Sequence, residues 1–180
     1  KYRFEHEKTI ENVATTHWPT EYGDFKLNCY LDHISGRMHY ALIKGQLDKQ
    51  VTPYIRVHVE NKITDILSYR SPDATNSWPL DKAMQFIAKQ ISGVILILAS
   101  DHSDKDLLHI INKTTNQDVN NKVVGIDNKN QEHKVLRNIG IGSQILNELG
   151  ITKMNLLSGP IKYYGLSGFD LEVEQYIQYE

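Results

Sequence analysis

The sequence predicts an α/β domain, and three stretches carry that prediction. Ile55, Val57 and Val59 alternate with Arg56, His58 and Glu60, the period of two that marks a strand with one apolar face. Leu80, Ala83, Met84, Ile87, Ala88 and Ile91 recur at helical spacing. Val94-Ile95-Leu96-Ile97-Leu98 is apolar at every position. Such a run flanked by helices reads as a strand covered on both faces.

The other elements follow in chain order. Lys1 to Ala14 is charged and reads as partly helical. Phe25 to Leu31 and Arg37 to Lys44 read as two strands, with Asp32 to Gly36 as their hairpin connection. Gly45 to Thr52 is a polar loop that leads into the strand from Pro53 to Glu60. Ser71 to Ser77 is a second polar loop, and Ser77 is predicted to cap the next helix with Pro79 in its first turn. Gly93 is expected to end that helix. Leu107, Leu108, Ile110 and Ile111 suggest a short helix, and Asn112 to Lys134 reads as a long, mobile surface loop. Arg137 to Gly150 is predicted as a helix closed by its glycine, with Ile141, Ile145 and Leu149 on one face. Met154 to Leu157 is a strand, and Leu171, Val173 and Ile177 are expected to point one way from a final strand.

Composition narrows the class. A chain of 180 residues with 40% apolar and 23% charged residues suits one soluble domain. A net charge of −2 argues against a nucleic-acid binder, which carries a basic face. No apolar run approaches the roughly 20 residues of a membrane span. There is no signal-peptide pattern, and a chain starting at Lys1 without methionine reads as cut from something longer. The single cysteine, Cys29, excludes an internal disulfide framework and a cysteine-rich zinc site within one chain. It fits a reducing, cytoplasmic location, and its place in the run Phe25, Leu27, Cys29, Leu31 suggests a small buried residue.

Beyond the fold, the row Arg56, His58, Glu60 is either a solvated strand face or a binding row. Its sequence context resembles the GTP cyclohydrolase II family. That family reads R-V-H-S-E-C, then T-G-D, then S-x-R-C-D-C-G. The chain has Arg56-Val57-His58-Val59-Glu60-Asn61, Thr64-Asp65 and Ser68-Tyr69-Arg70-Ser71-Pro72-Asp73-Ala74. The spacing between the outer blocks is one residue short. Further matches are His17-Trp18-Pro19-Thr20-Glu21-Tyr22-Gly23-Asp24-Phe25 to L-P-T-x-x-G-x-F, and Arg137 to Ile151 to D-x-R-x-Y-G-x-G-A-Q-I-L-x-x-L-G-V. Ser158-Gly159-Pro160-Ile161-Lys162 stands where the family has T-N-N-P-x-K, and Gly165 to Val173 follows its closing G-L-x-G-y-G-L-x-I.

The resemblance implies a mixed sheet with flanking helices over residues 16–180. Residues 1–15 would be the connector from a missing N-terminal 3,4-dihydroxy-2-butanone-4-phosphate synthase, in a homodimer. It also implies what has been lost. The family's three zinc-binding cysteines correspond to Asn61, Ser71 and Asp73, an amide, a hydroxyl and a carboxylate that suit harder cations than zinc. Zinc is therefore expected to be absent, and magnesium is expected, if anywhere, at the synthase. The family's R-Q-E-G-R-G-I-G is replaced by Ala99-Ser100-Asp101-His102-Ser103-Asp104-Lys105-Asp106, which would repel a triphosphate. Arg137 aligns with the family's arginine nucleophile, but Val135 replaces its base. Arg56, His58, Glu60 and Lys162 align with nucleotide-binding positions and are read as vestigial. The reading is a degenerate domain with a structural, dimerisation or regulatory role. The alternative is weak GTP binding, or zinc-free pyrophosphohydrolase chemistry through Arg137.

Overall fold

The computed structural model describes residues 8–70, 77–115, 128–159 and 170–180, with side chains throughout except at 115 and 128–132. Seven strands form one mixed sheet: β1 (Ile10–Thr20), β2 (Gly23–Asp32), β3 (Met38–Lys44), β4 (Tyr54–Val59), β5 (Gly93–Leu98), β6 (Lys153–Leu157) and β7 (Glu172–Ile177). Their order is β1-β2-β3-β5-β4-β6-β7. The first half is antiparallel as far as β3 against β5, and the second half is parallel. A short helix α1 (Lys62–Asp65) follows β4, then come α2 (Leu80–Ala88), α3 (Asp104–Thr115) and α4 (Asn128–Glu148).

The covering of both faces follows from β5. Val94, Leu96 and Leu98 join the apolar cluster of Ile141, Ile145 and Leu146 on the α4 side. Ile95 joins Ala83, Ile87 and Trp78 on the α2 side. All four β5 side chains are fully buried, and each contributes roughly 1.5–3 kcal/mol by leaving water. The predicted α/β class with a mixed sheet is what the chain forms.

Several local expectations change. Ile10 to Ala14 is not helical. It begins β1, paired to β2 from Ile10 opposite Asp32. The cap of α2 is Pro79, with extended backbone and no side-chain hydrogen bond, rather than Ser77. Ser77 instead accepts a hydrogen bond from Arg56. Ile91 is 80% exposed because α2 stops at Ala88, before the apolar face reaches it. Gly93 opens β5 rather than closing a helix. The long polar stretch is shorter than expected, since α3 runs to Thr115 and α4 starts at Asn128; residues 116–127 lie outside the described residues. In β7, Val173 packs on the α4 side and Ile177 on the α2 side. Met154 pairs with Val173 but Asn155 with Gln175, so Glu174 is an extra residue. A bulge of one residue reverses which face the following side chains meet.

Candidate functional site

The carboxyl ends of β4, β5 and β6 gather most of the polar side chains singled out by sequence. Along the β4 row, His58 is buried while Arg56 and Glu60 are partly exposed, and all three side chains are engaged. Arg56 donates to the carbonyls of Leu157 (3.1 Å) and Trp78 (3.1 Å), tying β4 to β6 and to the approach to α2. His58 is 8% exposed, and its Nε2 lies 2.9–3.0 Å from both oxygens of Asp65. A carboxylate only accepts, so Nε2 carries the proton. Burial holds the His58 pKa below its ordinary value, against the pull of Asp65. The pair is a neutral imidazole on a carboxylate. Asp65 also accepts from the Asn61 backbone N–H (2.9 Å), which locks α1 to the strand end. Glu60 accepts from the Ser100 N–H (3.0 Å) and pairs with Arg37 (3.3 Å). The three side chains of the row thus have separate partners and do not converge.

Arg137 reaches a second cluster. Its guanidinium lies 3.1 Å from Asp101 and 3.6 Å from Asp32. Burial raises the Asp32 pKa. The hydrogen bonds from the Ser35 hydroxyl and the Ile34 and Ser35 N–H groups, with the charge of Arg137, outweigh it and keep the carboxylate ionised. His39, 2% exposed, accepts from the Ala99 N–H at Nδ1 (2.9 Å), so its buried Nε2 carries the proton and has no hydrogen-bond partner among the described residues. Burial lowers its pKa, with Asp32 and Glu60 opposing and Arg137 and Arg37 assisting. The expected acidic loop is therefore not a free field of charge. Asp101 neutralises Arg137, while Ser103 and Asp106 exchange hydrogen bonds as a capping box at the start of α3.

Beside these groups, under α4, a cavity of about 210 Å³ opens between β4 and β6. Val57, Val59, Ile139, Leu146, Met154 and Leu156 supply most of its wall. Arg56, Asn138, Ser143 and Ser158 are its polar lining. The Ser143 hydroxyl is buried without a hydrogen-bond partner among the described residues. Lys162, Ser71 and Asp73 lie outside the described residues.

The family model of GTP cyclohydrolase II matches residues 11–178. The chain belongs to the GTP cyclohydrolase II family. It is 34% identical over 179 residues to a 3,4-dihydroxy-2-butanone 4-phosphate synthase of Pseudomonas aeruginosa, covering 99% of this chain and 46% of that protein. It is 35% identical over 179 residues to the riboflavin biosynthesis protein RibBA of Aquifex aeolicus, covering 96% and 43%. Among solved structures it is similar to RibBX, a two-domain 3,4-dihydroxy-2-butanone 4-phosphate synthase from A. baumannii. There the TM-score is 0.62 at 29% identity, over 97% of this chain and 42% of that one. The chain spans less than half the length of these relatives.

Of the three residues at the family's thiolate positions only Asn61 lies among the described residues, and its amide does not fit a zinc ion. Asn61 spends its side-chain oxygen on the Ile63 N–H (3.0 Å) as the cap of α1. The chain's one thiol, Cys29, is in β2 on the α2 side of the sheet. Sequence reasoning missed Asp32, His39 and Asp65 as partners. Asp65 was visible in the Thr64-Asp65 match, but nothing in the sequence pointed it at His58. Asp32 read only as the start of a turn.

Proposed function

We propose that this cyclohydrolase II-like domain has lost zinc-dependent opening of the GTP ring. It supports, through dimerisation or regulation, a 3,4-dihydroxy-2-butanone-4-phosphate synthase fused to it. One observation carries the reading: Asn61, at a thiolate position, is committed as a helix cap, and the only cysteine stands in another strand. Ring opening at neutral pH needs an activated water, which zinc supplies by lowering its pKa from 15.7 to about 7. An amide used by its own backbone supplies nothing comparable. The role as a partner domain is supported by relatives more than twice as long, named as synthases and riboflavin proteins.

The second reading keeps Arg137 as a nucleophile for pyrophosphate removal, since carboxylates lie beside it. A guanidinium is a poor nucleophile because it stays protonated, and that of Arg137 is held in an ion pair with Asp101 at 3.1 Å. The first reading is therefore preferred. The partner role is tested by truncating the two-domain protein ahead of this domain. Reduced synthase turnover, or a change of oligomeric state in sedimentation, is expected. A truncated synthase with unchanged kinetics and unchanged mass would contradict it.

A further inference from the structure

We propose that the cavity under α4 is a binding site for a small, uncharged, largely apolar molecule of one or two rings, held by one hydrogen bond to Ser143. The inference rests on the reading that this domain no longer handles a triphosphate.

Charge decides the class. Among the described residues, Arg56 is the only charged one lining the cavity, and it is engaged with the carbonyls of Leu157 and Trp78 and with the Ser77 hydroxyl. Arg137 is neutralised by Asp101 and Asp32. A triphosphate seated here would meet apolar walls and spent cations, and a multiply charged group without counter-charge is strongly disfavoured in such surroundings. The walls suit an apolar ligand instead: Val57, Leu146, Met154 and Leu156 come from three elements of the core.

Size and polarity narrow it further. An apolar cavity of about 150 Å³ holds one benzene ring, so about 210 Å³ takes one ring or a fused pair. The Ser143 hydroxyl is the polar anchor. It is 2% exposed, lines the cavity and has no hydrogen-bond partner among the described residues. A buried hydroxyl left unmatched is destabilising, and a ligand carrying one donor or acceptor removes that cost. The location agrees, since parallel strands present ligands at their carboxyl ends.

Indole is the probe, a neutral fused pair with one N–H. Saturation-transfer NMR on the 180-residue chain is expected to show indole bound. Ser143→Leu, which removes the hydroxyl and fills the space, should weaken binding by about ten-fold or more. If that variant does not fold, Val59→Phe at the exposed mouth serves the same purpose. No indole signal from folded chain, or equal binding by the filled variants, would overturn the proposal. So would displacement of indole by GTP. Product analysis of the same GTP separates the two ideas. Intact GTP without indole binding removes the ligand class and leaves the loss of ring opening standing. Converted GTP removes that reading itself.

Discussion

Asp101 stands 3.1 Å from Arg137 in a partly exposed pair, with side chains 43% and 32% accessible. Pairs of this kind contribute about 0–1 kcal/mol to stability. Their effect on binding is larger, because a guanidinium already facing a carboxylate has less field left for an outside anion. Asp101→Ala is therefore expected to cost little stability and to give the chain measurable pyrophosphate binding by calorimetry. Arg137→Ala in the same background should abolish it. Pyrophosphate binding equal in parent and variant would contradict this account. The buried imidazoles make a different prediction. Burial depresses the pKa of both His39 and His58, so below about pH 6.5 the unfolded chain takes up protons that the folded chain refuses. Their contribution to stability is present in full above that pH and is lost as pH falls. The slope is at most about 1.4 kcal/mol per pH unit for each group. Urea midpoints at pH 7.5 and 5.5 should show the decline, and His39→Gln should reduce it.

The elements differ in how much of them the sequence announced. The apolar run of β5 fixed its own two-sided burial, because no register exposes an all-apolar strand to water. The closing of α4 was equally legible: Gly150 has φ +76°, a conformation that favours glycine. What was not legible depended on partners. His58 alternates as an exposed residue does, yet β4 is inside the sheet and Asp65 comes back to meet it. The bulge at Glu174 leaves no mark in the β7 pattern. Arg137 was found by resemblance, but its pairing with Asp32 joins residues over 100 positions apart and exists only in the fold. Gly93 read as a stop signal, and its real constraint is packing. A Cβ there would lie 2.7 Å from both the Ile87 side chain and the Tyr54 carbonyl oxygen. Gly93→Ala should therefore destabilise by about 1–3 kcal/mol. Gly142 is the matched control, since its added Cβ would meet only ordinary contacts at 3.7–3.9 Å in the interior of α4. Gly142→Ala should hold or raise the melting temperature. A Gly93→Ala protein as stable as the parent would contradict the close approach of α2 to β4 and β5.

At the scale of the whole molecule, the seven-stranded frame of the family is present while an amide, Asn61, stands at a thiolate position. The frame rests on apolar burial, which tolerates exchange among residues of similar volume. Zinc-dependent chemistry rests on particular donors in particular places, and one exchanged ligand removes it. That asymmetry is consistent with a family match over residues 11–178 in a chain whose Arg56, Asn61, Glu60 and Arg137 are engaged with carbonyls, a helix cap and ion pairs. No helix among the described residues is long and apolar enough to cross a membrane. The measurement that tests the central claim most directly is incubation of the chain with GTP, magnesium and added zinc, with products resolved by chromatography. Loss of ring opening predicts GTP recovered unchanged. A ring-opened pyrimidine with formate would contradict it, and GMP with pyrophosphate would show that Arg137 still acts.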